Sequence, residues 1–233
     1  MRRSSLLVGG IAATAFATLI AGQAIRGVPT PLAWAIRIAT LVFAIIVHEV
    51  AHGLAAEKLG DPTARRMGRL TLNPLPHIDI FGSIIIPGFL LITNAPFLIG
   101  WAKPVPVDIR RFEDPLKGWA ITALAGPAAN VAQLVVYVLL FRLAVIVGLP
   151  VWVGYLALSG AGINLVLAVF NLIPIPPLDG SRIVAALLPF EMVRQYLSIE
   201  RFGFMIILGL LWLNVLDPLF ALMGRFLNFL LFF

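Results

Sequence analysis

The sequence predicts an all-α polytopic membrane protein with about six transmembrane helices. Composition is the first observation: of 233 residues, 61% are hydrophobic and 12% are charged, about half the charge a soluble domain carries. The second is arrangement. The apolar residues fall in long charge-free runs, and about 20 such residues cross the ~30 Å hydrocarbon core as a helix. The third is what separates the runs, short segments rich in Pro, Gly and basic residues. A soluble domain is excluded.

The net charge of +6 does not point to nucleic acid. The basic residues are scattered over short connections, where Lys and Arg report membrane orientation. Lipid is the expected surrounding, and no nucleic-acid partner is expected. The chain has no cysteine, so a metal would have to be held by His, Asp or Glu.

The runs follow in order. Met1-Arg2-Arg3 precedes a charge-free stretch from Ser4 to Ile25. Gly22 and Ala24 resemble a cleavage site, but the run is long enough to be a retained first span. Span two, Leu32–Leu59, carries His48, Glu49 and His52 near its end and is stopped by Gly60-Asp61-Pro62. A basic connection follows, then Asn73–Asp79, too rich in Pro to be regular helix. Phe81–Trp101 is apolar but broken at Pro87-Gly88 and Asn94-Ala95-Pro96. This re-entrant or broken segment precedes the spans Trp119–Phe141 and Val151–Leu172. A Pro-rich stretch then leads to Asp179-Gly180, and a polar connection to Phe202–Phe233, one span or two short legs around Asp217-Pro218. Residues 1–233 read as a single membrane-embedded domain.

His48-Glu49-Val50-Ala51-His52 matches H-E-x-x-H. On a helix, positions i and i+4 share a face, so both imidazoles reach one ion. In zinc metalloproteases the intervening Glu is the general base. The motif alone is common. Here it lies in an apolar span, where each ionisable group costs at least ~2.5 kcal/mol and usually marks function. Catalytic zinc takes three protein ligands and keeps one position open. Without cysteine the third is His or a carboxylate, and the candidates are His77, Asp79 and Asp179. Asp179 is preferred, because the prolines and Gly180 fix a turn able to aim its carboxylate at span two.

Three segments together resemble the site-2 protease family of intramembrane zinc metalloproteases: His48–His52, Gly126-Pro127-Ala128-Ala129-Asn130, and Asn171 to Gly180. Asn73–Asp79 and Gly100–Val107 resemble its compact prokaryotic branch, without room for PDZ or CBS domains. The resemblance covers about residues 35–190. It implies one zinc ion held by His48, His52 and Asp179, with Glu49 as catalytic base. It also implies that Asn171 steadies the substrate carbonyl or oxyanion. Read without it, Asn171 is a helix-end residue bonding its own backbone. The substrate implied is a transmembrane segment of another protein, cut in regulated intramembrane proteolysis. Alternatives are a membrane metal-binding or transport protein, or an inactive scaffold. Neither the substrate, the regulator nor the oligomeric state can be read from the sequence. Asn130, Gln133 and Asn164 read as residues that hold helices together, Gly126-Pro127 as a close helix contact, and Trp101 and Trp119 as interface anchors.

Positive-inside counting puts Arg2 and Arg3 in the cytoplasm of a prokaryotic cell membrane, so span two ends near the cytoplasmic face. His48 and Asp179 must meet at one depth. Two spans separate them, so Phe81–Trp101 must cross zero or two times. On that topology 13 of the 17 Lys and Arg residues are cytoplasmic, all but Arg26, Arg37, Arg142 and Arg225.

Overall fold

The computed structural model describes residues 27–93 and 101–233. The expected span Ser4–Ile25 and the Asn94-Ala95-Pro96 break lie outside them. The described residues contain helices and no strand.

Helix α1 spans Thr30–Lys58 and carries the H-E-x-x-H motif. A short helix α2, Thr63–Arg66, follows. The expected irregular stretch holds only a 3-10 turn at Leu75–His77. A π-helical turn at Ile80–Ile85 runs into α3, Ile86–Ile92. These 13 residues reach about 20 Å at 1.5 Å each, too short to cross a bilayer. The chain also comes back: Trp101 N donates to Gly82 O at 3.1 Å, and Ser83 Oγ to Trp101 O at 2.9 Å. The two ends of the broken segment therefore meet, as the zero-or-two rule requires.

Helix α4, Pro115–Val147, starts at Asp114, whose side chain accepts from Lys117 N, with Pro115 in the first turn. It ends at Gly148, whose φ of 70° is open to glycine at no steric cost. Helix α5, Val151–Asn171, returns antiparallel. Among the described residues three helices, α1, α4 and α5, are long and apolar enough to span a membrane. Within the best 18-residue window of each, 61% of α5 is buried against 22% of α1 and of α4, so α5 is the central helix. Its Ala157, Ala161, Leu165 and Val166 pack against Leu134, Val138 and Phe141 of α4. Small residues permit that approach.

The polar connection after Asp179 is helical, which the sequence reading did not foresee: α6 is Asp179–Leu187 and α7 is Phe190–Leu197. The last apolar region is two legs, α8 (Glu200–Trp212) and α9 (Asp217–Phe232), bent by 74°. The break falls at Leu213–Leu216, just before Asp217-Pro218, and holds Asn214 at φ 58°. Counting that pair as one span gives four. The described residues thus hold three or four spans, and the expected span Ser4–Ile25 lies outside that count. Phe220, Met223, Leu227 and Leu231 of α9 complete the α4–α5 core. Arg142, inside an apolar helix, is satisfied by Leu230 O at 2.6 and 3.0 Å.

Candidate metal centre

α1 projects His48 and His52 one turn apart, both buried. Their Nε2 atoms are 3.0 Å from each other. Asp179, the first residue of α6, brings Oδ2 to 3.2 Å from His48 Nε2 and 3.3 Å from His52 Nε2. Of the three candidates for a third ligand, Asp179 is thus the one that joins the pair. His77 is turned to Thr71 O at 3.0 Å. Asp79 accepts from Gly82 N at 2.7 Å and caps the π-helical turn.

The backbone explains Asp179's placement. After α5 the Pro-rich loop is closed by short bonds, Ile175 N to Ile173 O and Leu178 N to Ile175 O. Tyr196 of α7 donates to Pro174 O at 2.8 Å. A Cβ on Gly180 would lie closer than 3.0 Å to Leu172 O, and one on Gly203 of α8 as close to Pro176 O. Both glycines let the loop sit where Asp179 faces α1.

The ring protons are fixed by what the outer nitrogens face. His48 Nδ1 is 2.6 Å from Asn130 Oδ1, and His52 Nδ1 is 2.7 Å from Thr122 O. Both partners are acceptors, so each Nδ1 carries the proton and each Nε2 presents a lone pair. Asp179 Oδ2 is buried with no hydrogen-bond partner. Three electron-pair donors therefore converge with no proton among them, and the cluster calls for a cation.

The spacing suits zinc. Tetrahedral ligands at about 2.0–2.2 Å from the metal stand roughly 3.3 Å apart, close to the three edges found here. α4 backs the cluster with a glycine: a Cβ on Gly126 would come closer than 3.0 Å to His52 Nε2 and His48 Cε1. The neighbouring Pro127 has no N–H, which leaves Ala123 O without its ladder donor; Thr122 O, four residues before Gly126, accepts the His52 ring as well.

Glu49 is half-buried, and its Oε2 accepts from Val105 N at 2.7 Å. Val105 lies on an extended stretch that Arg69 fixes by donating to Lys103 O and Pro104 O at 2.7 and 3.2 Å. The sequence reading missed this support, because backbone amides leave no residue signature. Asn171 is not drawn into the cluster. Its amide donates to Leu167 O at 2.9 Å, one turn back in its own helix. Trp101 and Trp119 have internal partners besides any interface role. Trp101 covers Gly82 and meets Phe204 edge-on at 5.6 Å, and Trp119 lies under the Arg182 guanidinium at 4.3 Å.

Residues 151–214 match peptidase family M50. The chain is similar to three proteins that carry provisional names as zinc metalloproteases. YwhC of Bacillus subtilis is 37% identical over 183 residues, covering 73% of this chain and 77% of that protein. Rip2 of Mycolicibacterium smegmatis is 30% identical over 210 residues, covering 88% and 78%. MJ0611 of Methanocaldococcus jannaschii is 36% identical over 102 residues, covering 43% and 50%. No solved structure matches the chain.

Proposed function

The chain belongs to peptidase family M50, the site-2 protease family, and from that premise we propose that it is an intramembrane zinc endopeptidase. It would cut peptide bonds within or near transmembrane segments of other membrane proteins, as in regulated intramembrane proteolysis. The observation that carries this reading is the convergence of His48 Nε2, His52 Nε2 and Asp179 Oδ2 within 3.3 Å of one another in a membrane-embedded chain.

In this reading those three atoms hold one zinc ion. Zinc held there polarises a carbonyl oxygen and lowers the pKa of a bound water to about 7. Glu49 takes up the proton of the attacking water and returns it to the leaving amide nitrogen. The Val105 amide aims the Glu49 carboxylate while leaving Oε1 for that proton. Asn171, after turning from Leu167 O, donates to the developing oxyanion. A helical substrate must unwind before its scissile bond is reachable, so Gly or Pro near that bond favours cleavage.

The site's depth accords with a polar entry from one face. His52 and His48 lie 6 and 10 residues before the end of α1 at Lys58, about 9 and 15 Å at 1.5 Å per residue. Lys58, Arg65, Arg66 and Arg69 follow that end, and positive-inside counting supports the reading that it lies at the cytoplasmic face of the cell membrane.

The test is Glu49→Gln in the purified protein with a membrane substrate. Zinc stays bound and proteolysis stops. Retained cleavage overturns the mechanism. Zinc binding with no cleavage by the unaltered protein of any membrane substrate favours the metal-binding or scaffold alternatives.

A further inference from the structure

Asn130 and Asn164 are fully buried, at 0% exposure, on neighbouring helices α4 and α5. Neither belongs to the metal-ligand set. Their bonds run in one direction. Asn164 Nδ2 donates to Gly160 O at 2.9 Å. A carbonyl can only accept, so this bond fixes the Asn164 amide with Oδ1 turned outward. That Oδ1 accepts from Asn130 Nδ2 at 2.8 Å, and Ala44 O stands 3.4 Å from the same nitrogen. Asn130 is thereby fixed with Oδ1 toward His48 Nδ1 at 2.6 Å.

We infer that Asn164 and Asn130 are positioning residues for the metal centre, a relay that holds His48 in the tautomer whose Nε2 lone pair faces the ligand cluster. The inference rests on the metal reading proposed above. An Asn130 amide turned over would present Nδ2 to His48. The ring proton would then move to Nε2, and a protonated Nε2 cannot ligate. The turn would also set Asn130 Oδ1 against Asn164 Oδ1, two acceptors in a buried place with no donor between them. Asn164 is therefore the residue that disfavours the wrong amide orientation, although it does not touch His48. The two histidines differ in this respect. His52 takes its tautomer from a backbone carbonyl, Thr122 O, and needs no relay. His48 depends on two side chains, so its ligating form can be altered by substitution at a distance.

The experiment is a zinc-affinity series on the full chain in detergent, measured by competition with a chelator. The variants are Asn164→Ala, Asn130→Ala, the double alanine variant, and Asn130→Asp combined with Asn164→Ala. Loss of such outer partners commonly weakens metal binding about 10–100-fold. Each alanine variant is expected to fall in that range. The double variant should be no weaker than Asn130→Ala alone, because Asn164 acts only through Asn130. Asn130→Asp keeps an acceptor for His48 Nδ1 but sets its other oxygen against Asn164 Oδ1, so it is combined with Asn164→Ala, and that pair should bind zinc more tightly than the double alanine variant. A second readout is independent of zinc. The chain has three histidines, so imidazole 15N signals of metal-free protein are assignable by single substitutions. Asn164→Ala should shift His48 toward the Nε2–H tautomer and leave His52 unchanged, which a general loosening of the helices would not do. Should Asn130→Ala fail to fold, Asn164→Ala decides by affinity and by the His48 imidazole signal. Unchanged affinity in Asn164→Ala, or losses that add in the double variant, overturn the relay and leave the metal reading standing. An unaltered protein that binds no zinc removes both.

Discussion

Gly126 makes the sharpest residue-scale case, since the space it leaves is the space the histidines need. A Cβ there would come closer than 3.0 Å to both rings, and α4 cannot withdraw without opening its core with α5. Overpacking of this kind costs about 1–3 kcal/mol, so Gly126→Ala should lower zinc affinity roughly 5- to 150-fold in a chelator titration. Unchanged affinity would mean that α4 does not back the site. The same scale shows where the sequence was readable. His48, Glu49 and His52 announce themselves by spacing, and Asp179 by the turn that presents it. Asn130 and Asn164 looked like packing residues because nothing in the chain links His48 with a side chain 82 positions away. The supports of His52 and Glu49 are main-chain groups, Thr122 O and Val105 N, which no residue pattern reports.

Among the elements, the Pro-rich loop and α8 stand or fall together. Gly203 of α8 touches the backbone of Pro176, three residues before Asp179. A Val at 203 has no room and would displace the loop. Gly203→Val should therefore deplete bound zinc although it lies on a helix outside the site, and metal analysis of the purified variant checks this. Full zinc occupancy would show that α8 does not set the loop. The extended stretch around Val105 is likewise held by one side chain. Arg69→Gln removes the guanidinium that donates to both Lys103 O and Pro104 O. Turnover should fall about tenfold or more through misplacement of Glu49, with zinc content unchanged; a loss of zinc instead would assign Arg69 to the scaffold. The bend between α8 and α9 was legible only as an interruption. Asp217-Pro218 begins α9, and the turn is made by Asn214 at positive φ. Asn visits that region more readily than most residues, so Asn214→Val should lower the thermal midpoint in detergent while Asn214→Gly should not.

At the scale of the whole molecule, one depth governs the arrangement. α4 and α5 make an antiparallel pair, the 80–101 segment returns to its start, and α1 and α6 therefore meet at the same end. The parity argument anticipated this because it needs only the count of long runs and the demand that three ligands converge. The number of spans was less legible. Short broken legs such as α3, α8 and α9 are as apolar as true spans, and their lengths are set by packing and by bends. A reporter fused after Lys103 should read as cytoplasmic and one after Gly148 as external. The reverse pattern would overturn the orientation.

The central claim is that two imidazoles of one membrane helix and a carboxylate from a distant loop share one metal ion. Zinc-edge anomalous diffraction from the purified protein tests it most directly. The account predicts a single peak about 2.0–2.2 Å from His48 Nε2, His52 Nε2 and an Asp179 carboxylate oxygen. A peak that excludes Asp179, or no zinc at the paired histidines of protein prepared with the metal, would contradict it.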